Sequence, residues 1–204
     1  MGKGPGQRKD SGGKRLWRNG TSPAERKESR KMSIEKGYIQ VYTGNGKGKT
    51  TAALGVTLRC LCAGNRVFFG QFMKGQFYSE LRAAEYFPGL IMEQYGNACF
   101  VGKDPAPEDF EGARRGLERV KEALTGGEYD MVVFDEINTA LFFHLLEVED
   151  VLAVLDQKPE KTEVILTGRY APQEILDRAD LVTEMKEIKH YYTKGVEART
   201  GIEN

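Results

Sequence analysis

The run Tyr42-Thr43-Gly44-Asn45-Gly46-Lys47-Gly48-Lys49-Thr50-Thr51 decides the fold. An apolar, β-prone segment precedes it, and Ala52-Ala53-Leu54-Gly55-Val56 opens a helix after it. A glycine-rich turn between strand and helix lets several backbone N–H groups converge on phosphate oxygens. The helix N-terminus adds its positive end. Lys49 supplies a mobile cation, and the Thr50 hydroxyl is placed to ligate Mg²⁺. The general pattern has a glycine five positions before Gly48, where Thr43 stands, with Gly44 next to it. The competing reading is a glycine-rich turn that binds nothing. The strand before it and the helix after it favour the phosphate cradle.

A second element answers the first. Met131-Val132-Val133-Phe134-Asp135-Glu136 is an apolar strand ending in two carboxylates, the expected partner for a metal held by a P-loop. Without the cradle, a buried strand ending in solvated charges would be the better reading. Outward from these two elements, β-rich runs alternate with helical stretches. The spacing predicts strands at 38–42, 67–72, 90–95, 131–134, 164–167 and 181–185. Helices are predicted near 50–63, 79–87, 107–124, 148–156 and 172–178, with Gly64 and Gly126-Gly127 where C-terminal caps belong. Such alternation points to an α/β fold in three layers, a six-stranded, mainly parallel sheet covered by helices. Residues 96–107 read as a long loop.

The chain has 204 residues, 30 Lys plus Arg and 30 Asp plus Glu, but the neutral sum hides a split. Residues 1–33 carry ten basic and three acidic side chains, leaving twenty and twenty-seven in residues 34–204. A basic, glycine-rich and flexible tail is thus expected ahead of a mildly acidic domain at 34–204. In the tail, Leu16 and Trp17 are docking candidates and 23–32 a helix candidate. No apolar run approaches the roughly 18 residues needed to span a bilayer, and the N-terminus has no secretory pattern. Cys60, Cys62 and Cys99 are an odd set without C-x-x-C spacing, which suits a reducing cytoplasm and gives no zinc or disulfide framework. Cys60 and Cys62 read as small core filler.

A phosphate cradle does not say which bond breaks. His144, in the apolar run 141–146, is expected as a packed helix residue, and His190 precedes Tyr191 and Tyr192 as a surface ligand or structural group. Glu136 is a candidate general base. The residues alone leave the reaction open: hydrolase or kinase chemistry, a recombinase-like ATPase stimulated by nucleic acid through the basic tail, and an ATP-binding switch without chemistry. An acidic domain with no basic stripe weighs against the second.

Residues 37–203 resemble the CobA-type ATP:corrinoid adenosyltransferases. The resemblance rests on the run from Thr43 to Ala53, on Gln71-Phe-Met-Lys-Gly75 and on Val132-Val-Phe-Asp-Glu136. It continues through Thr167-Gly-Arg169, Ile175 to Asp180, Lys189-His190, Gly195-Val-Glu-Ala198 and Gly201-Ile-Glu203. The family shares the shortened loop with Thr43. The resemblance implies a P-loop NTPase fold of the recombinase-like kind and transfer of the 5′-deoxyadenosyl group of ATP to the Co(I) of a corrinoid. The corrinoid would be cob(I)alamin or a precursor such as cob(I)yrinic acid a,c-diamide, and triphosphate would be released, in adenosylcobalamin biosynthesis or salvage.

The same resemblance implies a nucleotide lying reversed in the loop. Gly44, Asn45, Gly46, Lys47 and Gly48 would wrap the triphosphate, with Lys49, Thr50 and Thr51 continuing the cradle and Arg59 either reaching toward ATP or standing as an exposed helix arginine. Thr50 and Glu136 would hold Mg²⁺ or Mn²⁺, with Asp135 in support. The family walls one face of the corrinoid with aromatics, and the loop Asn97-Ala98-Cys99-Phe100-Val101-Gly102-Lys103 offers Phe100 but no tryptophan. A cytoplasmic homodimer, a reductant protein as partner and an N-terminal segment covering the partner subunit's site are also implied.

Overall fold

The computed structural model describes residues 33–97 and 105–204. The expectations for the tail up to residue 32, for Cys99 and for Phe100 lie outside the described residues. The chain divides into two units, 1–30 and 31–204, and only the second is described below.

Among the described residues six strands, β1 (Ile39–Thr43), β2 (Val67–Gln71), β3 (Leu90–Gln94), β4 (Met131–Asp135), β5 (Glu163–Thr167) and β6 (Leu181–Glu184), form one sheet in the order β3-β2-β4-β5-β1-β6. Every pairing is parallel, so "mainly parallel" becomes wholly parallel. The central strands are apolar on both faces because helices cover both faces. Met131 and Val133 of β4 face one core with Phe69, Ile165 and Ala53, beneath α1 (Lys49–Cys62). Val132 and Phe134 face the other, with Phe68, Val164 and Leu166. That second face is covered by α3 (Pro107–Thr125), α4 (Ile137–Phe142), α5 (Val148–Leu155) and α6 (Gln173–Arg178).

Strand positions follow the sequence within a residue or two, because alternating and fully apolar runs are local signals. The helices differ more. The stretch expected as one helix at 79–87 is a 3-10 turn, Ser79–Arg82, followed by the short α2 (Ala83–Tyr86). The helix α4 had no distinct signal in its six residues. His144 is exposed at φ 56° in the turn beyond α4, which corrects its assignment as a packed helix residue. The apolar neighbours Leu141, Leu145 and Leu146 fill the core instead. Cys60 packs against the core, whereas Cys62 is exposed and is not filler. Gly64 and Gly127 take left-handed conformations just beyond α1 and α3. Among the described residues no helix is long and apolar enough to cross a membrane.

The long helix α3 seats its Gly112 and Gly116, four residues apart on one face, against Tyr95 at the end of β3. A Cβ at Gly112 would stand 2.2 Å from the Tyr95 carbonyl oxygen, a backbone atom that cannot turn aside. Gly112→Ala is expected to destabilise the fold by about 1–3 kcal/mol through overpacking, measured by urea unfolding. A midpoint unchanged from the parent would refute this close packing.

Candidate functional site

β1 ends at Thr43, and the chain then turns through Gly44 (φ 94°) to Gly48 (φ 120°) into α1. Only glycine takes these angles without strain. The loop is pinned to the end of β6: Met185 N–H donates to the Thr43 carbonyl at 2.8 Å, and Gly46 N–H donates to the Met185 carbonyl at 2.7 Å. Thr43, standing where the general motif has glycine, accepts the Ala171 N–H on its hydroxyl at 3.3 Å. It thereby ties the cradle to the connection leaving β5.

Lys49 opens α1 and is only 7% exposed. Its ammonium donates to the carbonyls of Gly44 (2.9 Å) and Gly46 (2.8 Å), so it lies across the mouth of the loop. Burial lowers its pKa, and the Glu136 carboxylate acts in the opposite sense. One residue on, the Thr50 hydroxyl donates to Asp135 Oδ1 at 2.9 Å. The two halves of the motif, far apart in sequence, therefore meet directly.

Asp135 ends β4 and is fully buried. Its Oδ1 also accepts from the Thr167 hydroxyl at 2.7 Å, and that hydroxyl in turn accepts the Glu136 N–H at 2.9 Å. Glu136 sits in the left-handed region at φ 62°, an uncommon conformation for a non-glycine residue. The turn swings its side chain out of the sheet, where the Thr139 hydroxyl donates to Oε2 at 2.5 Å. Burial first, and the adjacent Asp135 second, raise the Glu136 pKa.

These groups open onto a cleft of about 670 Å³, lined in part by Gly46, Lys47, Gly48, Lys49, Thr50, Thr51 and Glu136. Gly44 and Asn45 form the loop behind it, and Asp135 lies beneath. Arg59 is not brought to this place. It lines a separate hollow with Gln40 and Glu163, because two and a half turns of α1 carry it away from the loop. Phe100 lies outside the described residues.

His190, read from sequence as a surface ligand or structural group, and further residues without an assigned role complete the walls. Lys74 and Glu80 come from the segment after β2, and Arg169 from the end of β5. His190 and residues 201–204 come from a C-terminal hook. Lys74, Arg169 and Glu203 stand inside the short motifs Gln71–Gly75, Thr167–Arg169 and Gly201–Glu203, which were the available signal. The hook is held by Arg199, whose guanidinium donates to Glu203 Oε2 (3.1 Å) and Oε1 (3.1 Å). The Tyr191 hydroxyl also donates to Glu203, whose carboxylate lies 3.8 Å from the Lys47 ammonium.

The Arg199 guanidinium, then Tyr191, hold the Glu203 carboxyl down to about 2. A depressed carboxylate stabilises its contacts fully above the ordinary pKa, and that contribution is lost as pH falls toward the depressed value. The Glu203 side-chain carboxyl ¹³C signal is therefore expected to hold its ionised position down to about pH 4 and to titrate only below that, toward about 2. A Glu203 midpoint near the ordinary value of about 4.3 would contradict the clamp.

The donor set suits a small divalent cation. Thr50 offers a hydroxyl, Glu136 a carboxylate on the cleft wall, and both are hard oxygen ligands of the kind Mg²⁺ prefers. Fold and cleft together define a P-loop nucleotide-binding protein with a recombinase-like sheet. Two solved structures share that architecture. The flagellar accessory protein FlaH from Methanocaldococcus jannaschii has TM-score 0.53 and 15% identity over 74% of this chain and 72% of its own. The RadB recombinase has TM-score 0.50 and 21% identity over 76% and 77%.

The chain belongs to the ATP:corrinoid adenosyltransferase BtuR/CobO/CobP family, which its residues 35–204 match. A corrinoid adenosyltransferase from Sinorhizobium is 37% identical over 180 residues, 83% of this chain and 81% of that protein. One from Escherichia coli K12 is 34% identical over 169 residues, covering 83% and 86%. A Nostoc protein described as uncharacterized is 43% identical over 185 residues, 81% of this chain, which spans about half (49%) of that relative's length.

Proposed function

We propose that this protein transfers the 5′-deoxyadenosyl group of ATP to the Co(I) centre of a corrinoid, cobalamin or a precursor of it, releasing triphosphate. The observation that carries the reading is the meeting, in one cleft, of the family's P-loop cations with its Asp-Glu strand end. The cobalt of the substrate supplies an electron pair to C5′. The C5′–O bond breaks, and its pair leaves with the triphosphate. No proton has to be removed from the nucleophile, so the residues' work is positioning and stabilisation of the charge on the leaving group.

In this reading the loop amides from Gly44 to Gly48, apart from the Gly46 N–H that Met185 holds, wrap the triphosphate, and Lys47 and Lys49 meet its charge. Thr50 and Glu136 would hold Mg²⁺, which when bound neutralises phosphate oxygens. Asp135 fixes the Thr50 hydroxyl from behind. Thr51 and the apolar side of the cleft at Leu54 face the rest of the nucleotide. A protein that delivers one electron to Co(II), a cytoplasmic setting and a homodimer belong to the same proposal.

The direct test is product analysis with ATP, Mg²⁺ and chemically reduced cobalamin. Triphosphate in one-to-one ratio with adenosylated corrinoid is expected. ADP and phosphate, formed faster when DNA or RNA is added, would instead support the recombinase-like ATPase.

A further inference from the structure

Lys74 is a cation of this site that the proposed reaction leaves without a part. It follows β2, and its side chain is only 14% exposed. The ammonium lies 3.0 Å from Asp135 Oδ2 and 3.4 Å from Glu80 Oε1, with the Tyr78 ring 5.1 Å away. Gln71 repeats the bridge, its Nε2 standing 3.3 Å from each of the same two oxygens. Gln94 donates to Gln71 Oε1 at 3.0 Å and so fixes which way that amide faces.

The consequence is a count of lone pairs. Asp135 Oδ1 accepts from Thr50 and Thr167, and Oδ2 accepts from Gln71 and Lys74. Each carboxylate oxygen thus has two donors, the full complement of an ionised carboxyl. A buried carboxylate satisfied in this way, with an ammonium at 3.0 Å, has no free lone pair to offer a divalent ion.

We propose that Lys74 is a positioning residue that occupies the Asp135–Glu80 pair as a resident cation. It keeps Asp135 turned to Thr50 and out of direct coordination, so that a divalent metal enters the cleft as a complex with nucleotide phosphate. The inference rests on the reading of the cleft as a metal–nucleotide site but not on the corrinoid reaction.

The test is Mn²⁺ binding followed by the EPR signal of free Mn²⁺, with the full chain and no corrinoid. The parent protein is expected to bind Mn²⁺ at least about tenfold more tightly with ATP than without it. Lys74→Gln, neutral but still a hydrogen-bond donor, is expected to tighten nucleotide-free Mn²⁺ binding by about tenfold or more. Lys74→Arg restores the parent's behaviour, a rescue that a merely structural lysine would not require to follow charge. Equal Mn²⁺ affinity in the parent with and without ATP would overturn the proposal, and that arm needs no variant to fold. Equal nucleotide-free affinity in the parent and in a folded Lys74→Gln protein would overturn it as well. A protein that binds Mn²⁺ only with ATP yet never adenosylates cobalt would leave this inference standing while refuting the proposed reaction.

Discussion

Lys49→Ala is expected to lower kcat/KM for adenosyl transfer by about 10²–10³-fold, the effect of removing one preorganised charge-stabilising donor. The ammonium is held at the mouth of the loop by the Gly44 and Gly46 carbonyls and shielded from water, so little reorganisation separates its resting position from a phosphate oxygen. In the proposed reaction charge accumulates on the bridging oxygen of the triphosphate as C5′ departs. The loss should therefore fall on kcat as well as on KM. Lys49→Arg is not expected to rescue it, because the larger planar guanidinium does not fit between two carbonyls that accept a compact ammonium. Steady-state kinetics on folded variants, checked by thermal melting, decide the matter. A kcat/KM within about threefold of the parent would remove Lys49 from the cradle's chemistry.

Asp135→Ala is expected to cost about 3–5 kcal/mol of stability, because it leaves the Lys74 ammonium without its nearer carboxylate and orphans three further donors. For a domain of this size that is roughly 6–20 °C in Tm. Removing Lys74 in the same protein should recover part of the loss, since the two charges are in contact and their effects are not additive. Differential scanning calorimetry of both single variants and the double variant measures the coupling. A loss below about 1 kcal/mol for Asp135→Ala would mean that the four-donor arrangement is not a structural keystone.

The phosphate cradle was legible because its signal is contiguous. Glycines that must turn, a lysine and a threonine all lie within ten residues between a strand and a helix. The strand ending in Asp135 and Glu136 was legible for the same local reason. What the sequence could not show is how these pieces touch. The left-handed turn at Glu136 depends on the Thr167 hydroxyl from a neighbouring strand, and the Lys74 bridge depends on pairing of β2 with β4.

Arg59 illustrates the converse. Of its two readings, reach toward ATP or an exposed helix arginine, the fold realises the second, because helical rise carries it to another hollow. His144 lies in an apolar run, yet the chain leaves α4 before reaching it, and the exposed turn takes the imidazole while leucines take the core. The hook at 190–204 has no apolar periodicity to announce it. It is assembled from Arg199, Tyr191 and Glu203, contacts that only the folded chain brings together. The exposed edge strand β6, with all four residues outside the core, shows that its place in the sheet comes from backbone pairing with β1 rather than from burial.

The measurement that tests the central claim most directly is an anaerobic optical assay. Protein, ATP and Mg²⁺ are mixed with cobalamin chemically reduced to Co(I), and the spectrum is followed for a cobalt–carbon product. Enzyme-dependent conversion to the adenosylated corrinoid, with the 5′ carbon of isotopically labelled ATP bound to cobalt, is the predicted result. Persistence of the Co(I) spectrum with protein that demonstrably binds ATP, for cobalamin and for its a,c-diamide precursor alike, would contradict it.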